Sequence, residues 1–278
     1  MRFCAALFLC WFIGSATTAL ANVRLALESD RDTYLLYEPV IFNLRIQNIG
    51  SETMALQDHP VTKRPWLSFL IFKADGNKVG ATGSFSVPPQ VLKQGESSVM
   101  EIDITPLYQI RESGRFDVQA VVSIPGKSTY QTGRLRIYVG RGEEVWRREI
   151  NRNGVIRVYS LIRFLEKKNS SLYVRVEEPS QNLVYTTQRL GFMAGYTSPT
   201  VEFDAAGSMH VMHETAVRKY RYSIISLDGQ MLDQQDRIAE RDVPRLALSP
   251  EGNVVVAGGV NPSGKVKRRN LSEDQMGL

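Results

Sequence analysis

His210-Val-Met-His213-Glu214 gathers the side chains best suited to holding a metal or moving a proton. Two imidazoles reach one zinc when they stand a helical turn apart, as in H-E-x-x-H or H-x-x-E-H, with the glutamate activating water. Here the order is H-x-x-H-E, and the flanking residues alternate as in a strand. Period two sends His210 and Met212 to one face and His213 to the other, so the rings cannot share an ion. His59, the remaining histidine, stands beside Pro60 in a predicted loop. Structural or surface histidines, and no metal, are expected.

Other chemistry is equally sparse. No G-x-S-x-G elbow presents a serine nucleophile. Glu177-Glu178 and the pair Asp233 and Asp236 supply carboxylates, but neighbours on a strand point apart. Asp204 and Asp228 precede glycines at predicted turns, where short acidic side chains bond the backbone. Gly140-Arg-Gly142 lacks the third glycine and the helix of a dinucleotide site. No catalytic residue and no cofactor is therefore assigned. Four tyrosines, Tyr185, Tyr196, Tyr220 and Tyr222, are the candidate partner-contact residues, with about half of such aromatics expected to pack between strands instead.

The elements that must carry these residues are strands. Val40, Phe42, Leu44 and Ile46 alternate with Asn43, Arg45 and Gln47, and Phe116, Val118, Ala120 and Val122 with Asp117 and Gln119. Met100 to Ile104 and Leu135 to Val139 repeat the pattern. One apolar and one polar face per strand predicts antiparallel sheets wet on one side. The fold class expected is all-β: an N-terminal Ig-like β-sandwich over 22–139, followed by propeller-like antiparallel sheets, an incomplete propeller or stacked sheets, over 154–260. Alternation stops at 140–153, where Trp146 stands among charges, and this stretch is predicted to be a linker with one helical turn.

Tyr34-Leu-Leu-Tyr-Glu38-Pro39-Val40, with its strand ending Gln47-Asn48, resembles the second strand of macroglobulin-type Ig-like modules and is similar to the bacterial proteinase-inhibitor fold. Leu92-Lys-Gln-Gly95-Glu96, and Leu107-Tyr108 to Ser113-Gly114-Arg115-Phe116, resemble the closing strands of that module. The resemblance implies a fold over about 100 residues and no functional residues.

The second half contains a repeat. Pro199-Thr-Val-Glu-Phe203-Asp204-Ala-Ala-Gly207-Ser-Met209-His-Val211 recurs from Pro244 to Val256, with proline, apolar strand, turn and returning strand in the same places. A hairpin precedes each copy, at 172–187 and 220–232. Short strands at a period in the forties resemble β-propeller blades, although rhyming hairpins would look the same. Two units and a lead-in strand cannot close a ring, so an edge must be covered by the sandwich, by a second copy or by a partner.

The ends address the protein. Arg2, the apolar run Phe3 to Gly14, and Ala19-Leu20-Ala21 before Asn22 make a signal peptide over 1–21, with cleavage set by Ala19, Ala21 and Asn22. The run is too short to span a bilayer, and no membrane span is expected in the mature form. Cys4 and Cys10 both lie inside it, leaving a cysteine-free secreted or periplasmic protein. The net charge of +5 gathers at Lys265, Lys267, Arg268 and Arg269 in a predicted disordered basic tail, 261–278. With an export signal, that charge does not indicate nucleic acid. The expectation is an exported non-catalytic binding or scaffolding protein with an unknown protein partner or a homodimer. The alternatives are a hydrolase with an unrecognised carboxylate site, or a proteinase inhibitor.

Overall fold

Each alternating run becomes a strand because it finds a core for its apolar face. The computed structural model describes residues 22–83, 87–152, 154–195 and 197–262. Ala19, Ala21, Tyr196 and the tail from 263 lie outside the described residues. Asn22 lies within them, its carbonyl accepting the backbone N–H groups of Ile49 and Gly50.

The first half comprises β1 (Val23–Ser29), β2 (Thr33–Leu35), β3 (Ile41–Asn48), β4 (Met54–Leu56), β5 (Leu67–Lys73), β6 (Gln90–Leu92), β7 (Ser97–Asp103), β8 (Gly114–Ser123), β9 (Thr129–Gln131) and β10 (Leu135–Gly140). One sheet runs β1-β3-β7 and the other β2-β10-β8-β5, with β9 on β8 and a small β4-β6 pair beside them. Phe42, Leu44 and Ile46 from the first sheet share a buried cluster with Phe69, Ile71, Val118 and Val122 from the second. Phe42 and Phe69 meet across the two sheets, their ring centroids 6.3 Å apart. Burying each such side chain contributes about 1.5–3 kcal/mol.

The second half comprises β11 (Glu143–Arg152), β12 (Val155–Glu166), β13 (Asn169–Glu178), β14 (Leu183–Phe192), β15 (Thr200–Phe203), β16 (Met209–Ala216), β17 (Lys219–Ile225), β18 (Met231–Ile238), β19 (Arg245–Leu248) and β20 (Val254–Ala257). They form two four-stranded antiparallel meanders, β11-β12-β13-β14 and β15-β16-β17-β18, and a hairpin, β19-β20. The fold class is the one expected: all-β, a sandwich followed by propeller-like sheets, the last of them incomplete.

The two copies of the repeat are the opening hairpins of the second and third sheets; the first sheet opens on a hairpin too, β11-β12, with a shorter turn. Gly154, Gly207 and Gly252 close the three turns with φ of 84°, 86° and 78°, a region that side chains with a Cβ avoid. Successive turns touch: Arg152 Nη1 donates to the Ala206 carbonyl at 3.1 Å, and the Ala205 N–H to the Gly252 carbonyl at 2.9 Å.

The expected linker is corrected. Residues 143–152 are strand β11, paired along its length with β12, and no helical turn forms at Trp146. A register shift between Glu144 and Trp146 breaks the alternation, and beyond it the exposed Arg148 and Arg152 share a face with Trp146 and Ile150. Arg148 lies over the Phe203 ring at 5.3 Å, and Trp146 stacks on the same ring at 6.3 Å. Only Arg141 and Gly142 separate β10 from β11. A Cβ at Gly142 would lie 2.6 Å from the Ile162 side chain, and one at Gly140 2.7 Å from Phe164. The junction is packed.

The layers follow in series. β12 and β13 are buried on both faces: Ile162, Phe164 and Tyr173 pack with Leu35 of the sandwich, while Tyr159, Leu161, Leu172 and Val174 pack with Met209, Val211 and Ile225 of the second sheet. Met212, Tyr220 and Tyr222 then pack with Leu246 and Val256 of the terminal hairpin. Among the described residues no helix is long and apolar enough to cross a membrane.

Candidate functional site

The sandwich and the first four-stranded sheet do not meet along their whole length. Beside the joint they leave a cleft of about 260 Å³, lined by Tyr37, Glu38, Thr105 and Arg111 from the sandwich and by Val184 to Thr187 of β14. β14 is the outer strand of its sheet. A register shift at Tyr185 breaks the alternation of side chains there, and four consecutive residues of this outer strand line the cavity, so its unpaired edge borders the cleft.

Beside the cleft, an ion network that includes the lining residue Glu38 joins the two units. Arg31 Nη1 lies 2.8 Å from Glu38 Oε1 and 3.8 Å from Glu166 Oε1. It also donates to the Tyr173 hydroxyl at 3.1 Å, which in turn donates to Glu166 at 2.5 Å. Arg189 pairs with Glu166 from the other side at 3.1 Å. Burial pushes the Glu38 carboxyl up against the pull of Arg31 and of the Leu35 N–H. Burial also works against the Arg31 cation, but Glu38 outweighs it and the net shift is upward. The network is structural, every charge in it being answered.

Arg175 is different. Its Nε donates to Thr187 Oγ1 at 3.0 Å and its Nη2 to the Leu36 carbonyl at 2.5 Å. Its guanidinium lies 5.1 Å from the centre of the Tyr37 ring. Neutral acceptors hold it, and among the described residues no carboxylate lies within ion-pairing distance of it. Burial lowers its pKa. Arg111, exposed on the opposite wall, has no such partner either.

Of the four tyrosines, Tyr185 alone is placed in the cleft. Its hydroxyl donates to Glu178 Oε2 at 2.6 Å, and Arg157 lies over its ring at 4.6 Å. The hydrogen bond to Glu178 and the ring's burial raise the Tyr185 pKa. Tyr220 and Tyr222 are corrected: both are buried between the second sheet and the terminal hairpin, so neither presents a surface to a partner. Tyr196 lies outside the described residues.

The histidines occupy opposite faces of β16, as the alternation predicts. His210 Nδ1 is 2.6 Å from the Tyr222 hydroxyl and its Nε2 is 3.1 Å from Asp204 Oδ2. Asp204 Oδ1 accepts the Ser208 N–H, so the aspartate closes its turn and orients the imidazole together. Both ring nitrogens are thus hydrogen-bonded within the fold. His213 is buried on the other face, with Nε2 3.1 Å from the Phe192 carbonyl and Nδ1 without a hydrogen-bond partner among the described residues.

Arg175 and the edge of β14 were missed in the sequence. The available signal was a lone arginine inside Leu172-Tyr-Val-Arg175-Val, a strand otherwise apolar on both faces. What the cleft assembles is a strand edge, two tyrosines and Arg111, with Arg175 held behind the lining residues Thr187 and Tyr37. It brings together no nucleophile and base.

No protein-family model matches the chain, and no curated protein does. Among solved structures, the sporulation control protein Spo0M from Bacillus subtilis aligns at 11% identity and a TM-score of 0.32, over 59% of this chain and 83% of its own. The YadV chaperone aligns at 12% identity and 0.22, over 76% and 98%. A cycloalternan-forming enzyme from Listeria monocytogenes aligns at 15% and 0.24, over 75% of this chain and 18% of its own.

Proposed function

We propose that the protein is an exported, non-catalytic binding or scaffolding protein, acting through protein–protein contacts at the cleft between sandwich and first sheet. The observation that carries this reading is the uncovered edge of Val184–Thr187, set beside Tyr37 and Tyr185. An open edge offers a row of backbone donors and acceptors to another chain, and tyrosine adds contact area at low entropic cost. Export rests on the charged start, the apolar run and Ala19-Leu-Ala21. The packed joint holds the two walls of the cleft together, as a scaffold for binding requires.

The test is photocrosslinking in the cells that make the protein, with a photoreactive phenylalanine analogue at Arg111 or at Val61. Val61 is exposed in a sandwich loop and does not line the cleft. A discrete protein adduct from position 111 and none from position 61 is expected. Absence of any adduct from position 111 would overturn the reading.

A further inference from the structure

The chemistry of the cleft narrows the partner. We propose that it takes an extended segment of a partner protein, laid along β14 as an added strand, with an acidic side chain of that segment reaching Arg175 and Arg111. This rests on the protein-binding reading and specifies its ligand.

Three observations support it. First, β14 ends its sheet, and no backbone hydrogen bond from another described segment reaches Val184–Thr187. The run Val184-Tyr-Thr-Thr187 is uncharged, free of proline and of high strand propensity; a register shift at Tyr185 is the edge-protecting device it carries. The sandwich wall leaves room there for a single chain: a volume of about 260 Å³ is at the small end for ligand sites and suits a few side chains.

Second, among the described residues neither cation has a carboxylate within ion-pairing distance. Arg175, half-buried, is hydrogen-bonded to neutral acceptors, the Thr187 hydroxyl and the Leu36 carbonyl, with the Tyr37 ring beside it, while Glu177 and Glu144 act on it from farther off. A cation partly withdrawn from water gains most from an anion brought to it.

Third, the anchors of Arg175 belong to the cleft. Thr187 and Tyr37 both line it, so the guanidinium is held just behind them, and Arg111 lines the sandwich side. A carboxylate on an added strand would complete a pair of charge-assisted hydrogen bonds while the backbone completes the sheet.

The experiment uses the full chain without residues 1–21 and three acetylated, amidated octapeptides of alternating threonine and valine. They carry one central glutamate, glutamine or lysine. Backbone amide shifts are followed by NMR. The glutamate peptide is expected to shift Val184–Thr187 and to bind at least fivefold tighter than the glutamine peptide, with the lysine peptide weakest. N-methylation of alternate residues in the peptide should abolish binding. Arg175→Gln should remove the preference for glutamate, and Arg111→Gln, an exposed change that leaves the core intact, should reduce it. Equal binding of the three peptides, shifts confined to another surface, or no binding of any of them overturns the inference. The broader reading then stands or falls separately, on whether position 111 still crosslinks a protein.

Discussion

Arg31 in the sandwich donates a 3.1 Å hydrogen bond to the hydroxyl of Tyr173 on β13, across the joint between the two halves. Tyr173 passes its own proton to Glu166, and Leu35 packs beside it with Ile162 and Phe164. The sandwich and the repeat region therefore share a polar network and an apolar seam. They are expected to unfold as one cooperative unit. In urea a single transition should be seen by tryptophan fluorescence and circular dichroism alike. Tyr173→Phe should lower stability by about 1–3 kcal/mol by leaving Glu166 short of a donor. Arg31→Ala should cost about 3–5 kcal/mol, because it leaves the Glu38 charge buried without its partner. Two resolved transitions would refute the coupling.

Limited proteolysis should spare residues 143–152. This stretch is charged and reads as a linker, yet it is hydrogen-bonded along its length to β12, and backbone held in a ladder resists cleavage. Mass spectrometry of early fragments is the check. A cut within β11 would show that the strand opens independently.

Acid should weaken the protein through His213. Burial lowers its pKa to about 4, so the folded state refuses a proton that the unfolded chain takes up near pH 6.5. A depressed histidine pKa gives full stability above the unfolded value and loses it as pH falls toward the folded one. The loss should reach about 2–3 kcal/mol by pH 4.5. Urea midpoints of the wild type and His213→Leu at pH 7.5 and 4.5 test this. The variant should lose less on acidification, and an identical loss in both would exclude His213 as the cause.

Two hydrogen-bonded tyrosines, Tyr222 with His210 and Tyr185 with Glu178, should differ in their effect on binding. Tyr222→Phe removes the hydrogen bond to buried His210 and should cost about 1–3 kcal/mol, leaving the crosslink from position 111 unchanged. Tyr185→Ala, in the cleft, should also lower stability by taking the Tyr185 donor from buried Glu178, and should weaken that crosslink at least fivefold. Burial pushes the Tyr222 hydroxyl up to about 12, so its hydrogen bond persists across the accessible pH range. The reverse pattern would place the contact surface at the second sheet.

Period-two alternation was enough to determine the all-β class and the opposite facing of His210 and His213, because strand geometry alone sends successive side chains to opposite sides. The repeat at Pro199 and Pro244 was legible because each copy needs the same glycine turn. The strand β11 was not legible: a register shift, and the exposed Arg148 and Arg152 on the face of Trp146 and Ile150, erase its apolar pattern. Nor could composition sort the tyrosines. Tyr220 and Tyr222 are buried only because the terminal hairpin folds back on them, and Tyr185 faces the cleft only because the sandwich stops short of β14. Which surface stays open, and which arginine goes without a carboxylate, depends on how the layers stack. That stacking is set by contacts between residues more than a hundred positions apart in the chain, such as Arg31 with Tyr173 and Arg175 with Leu36.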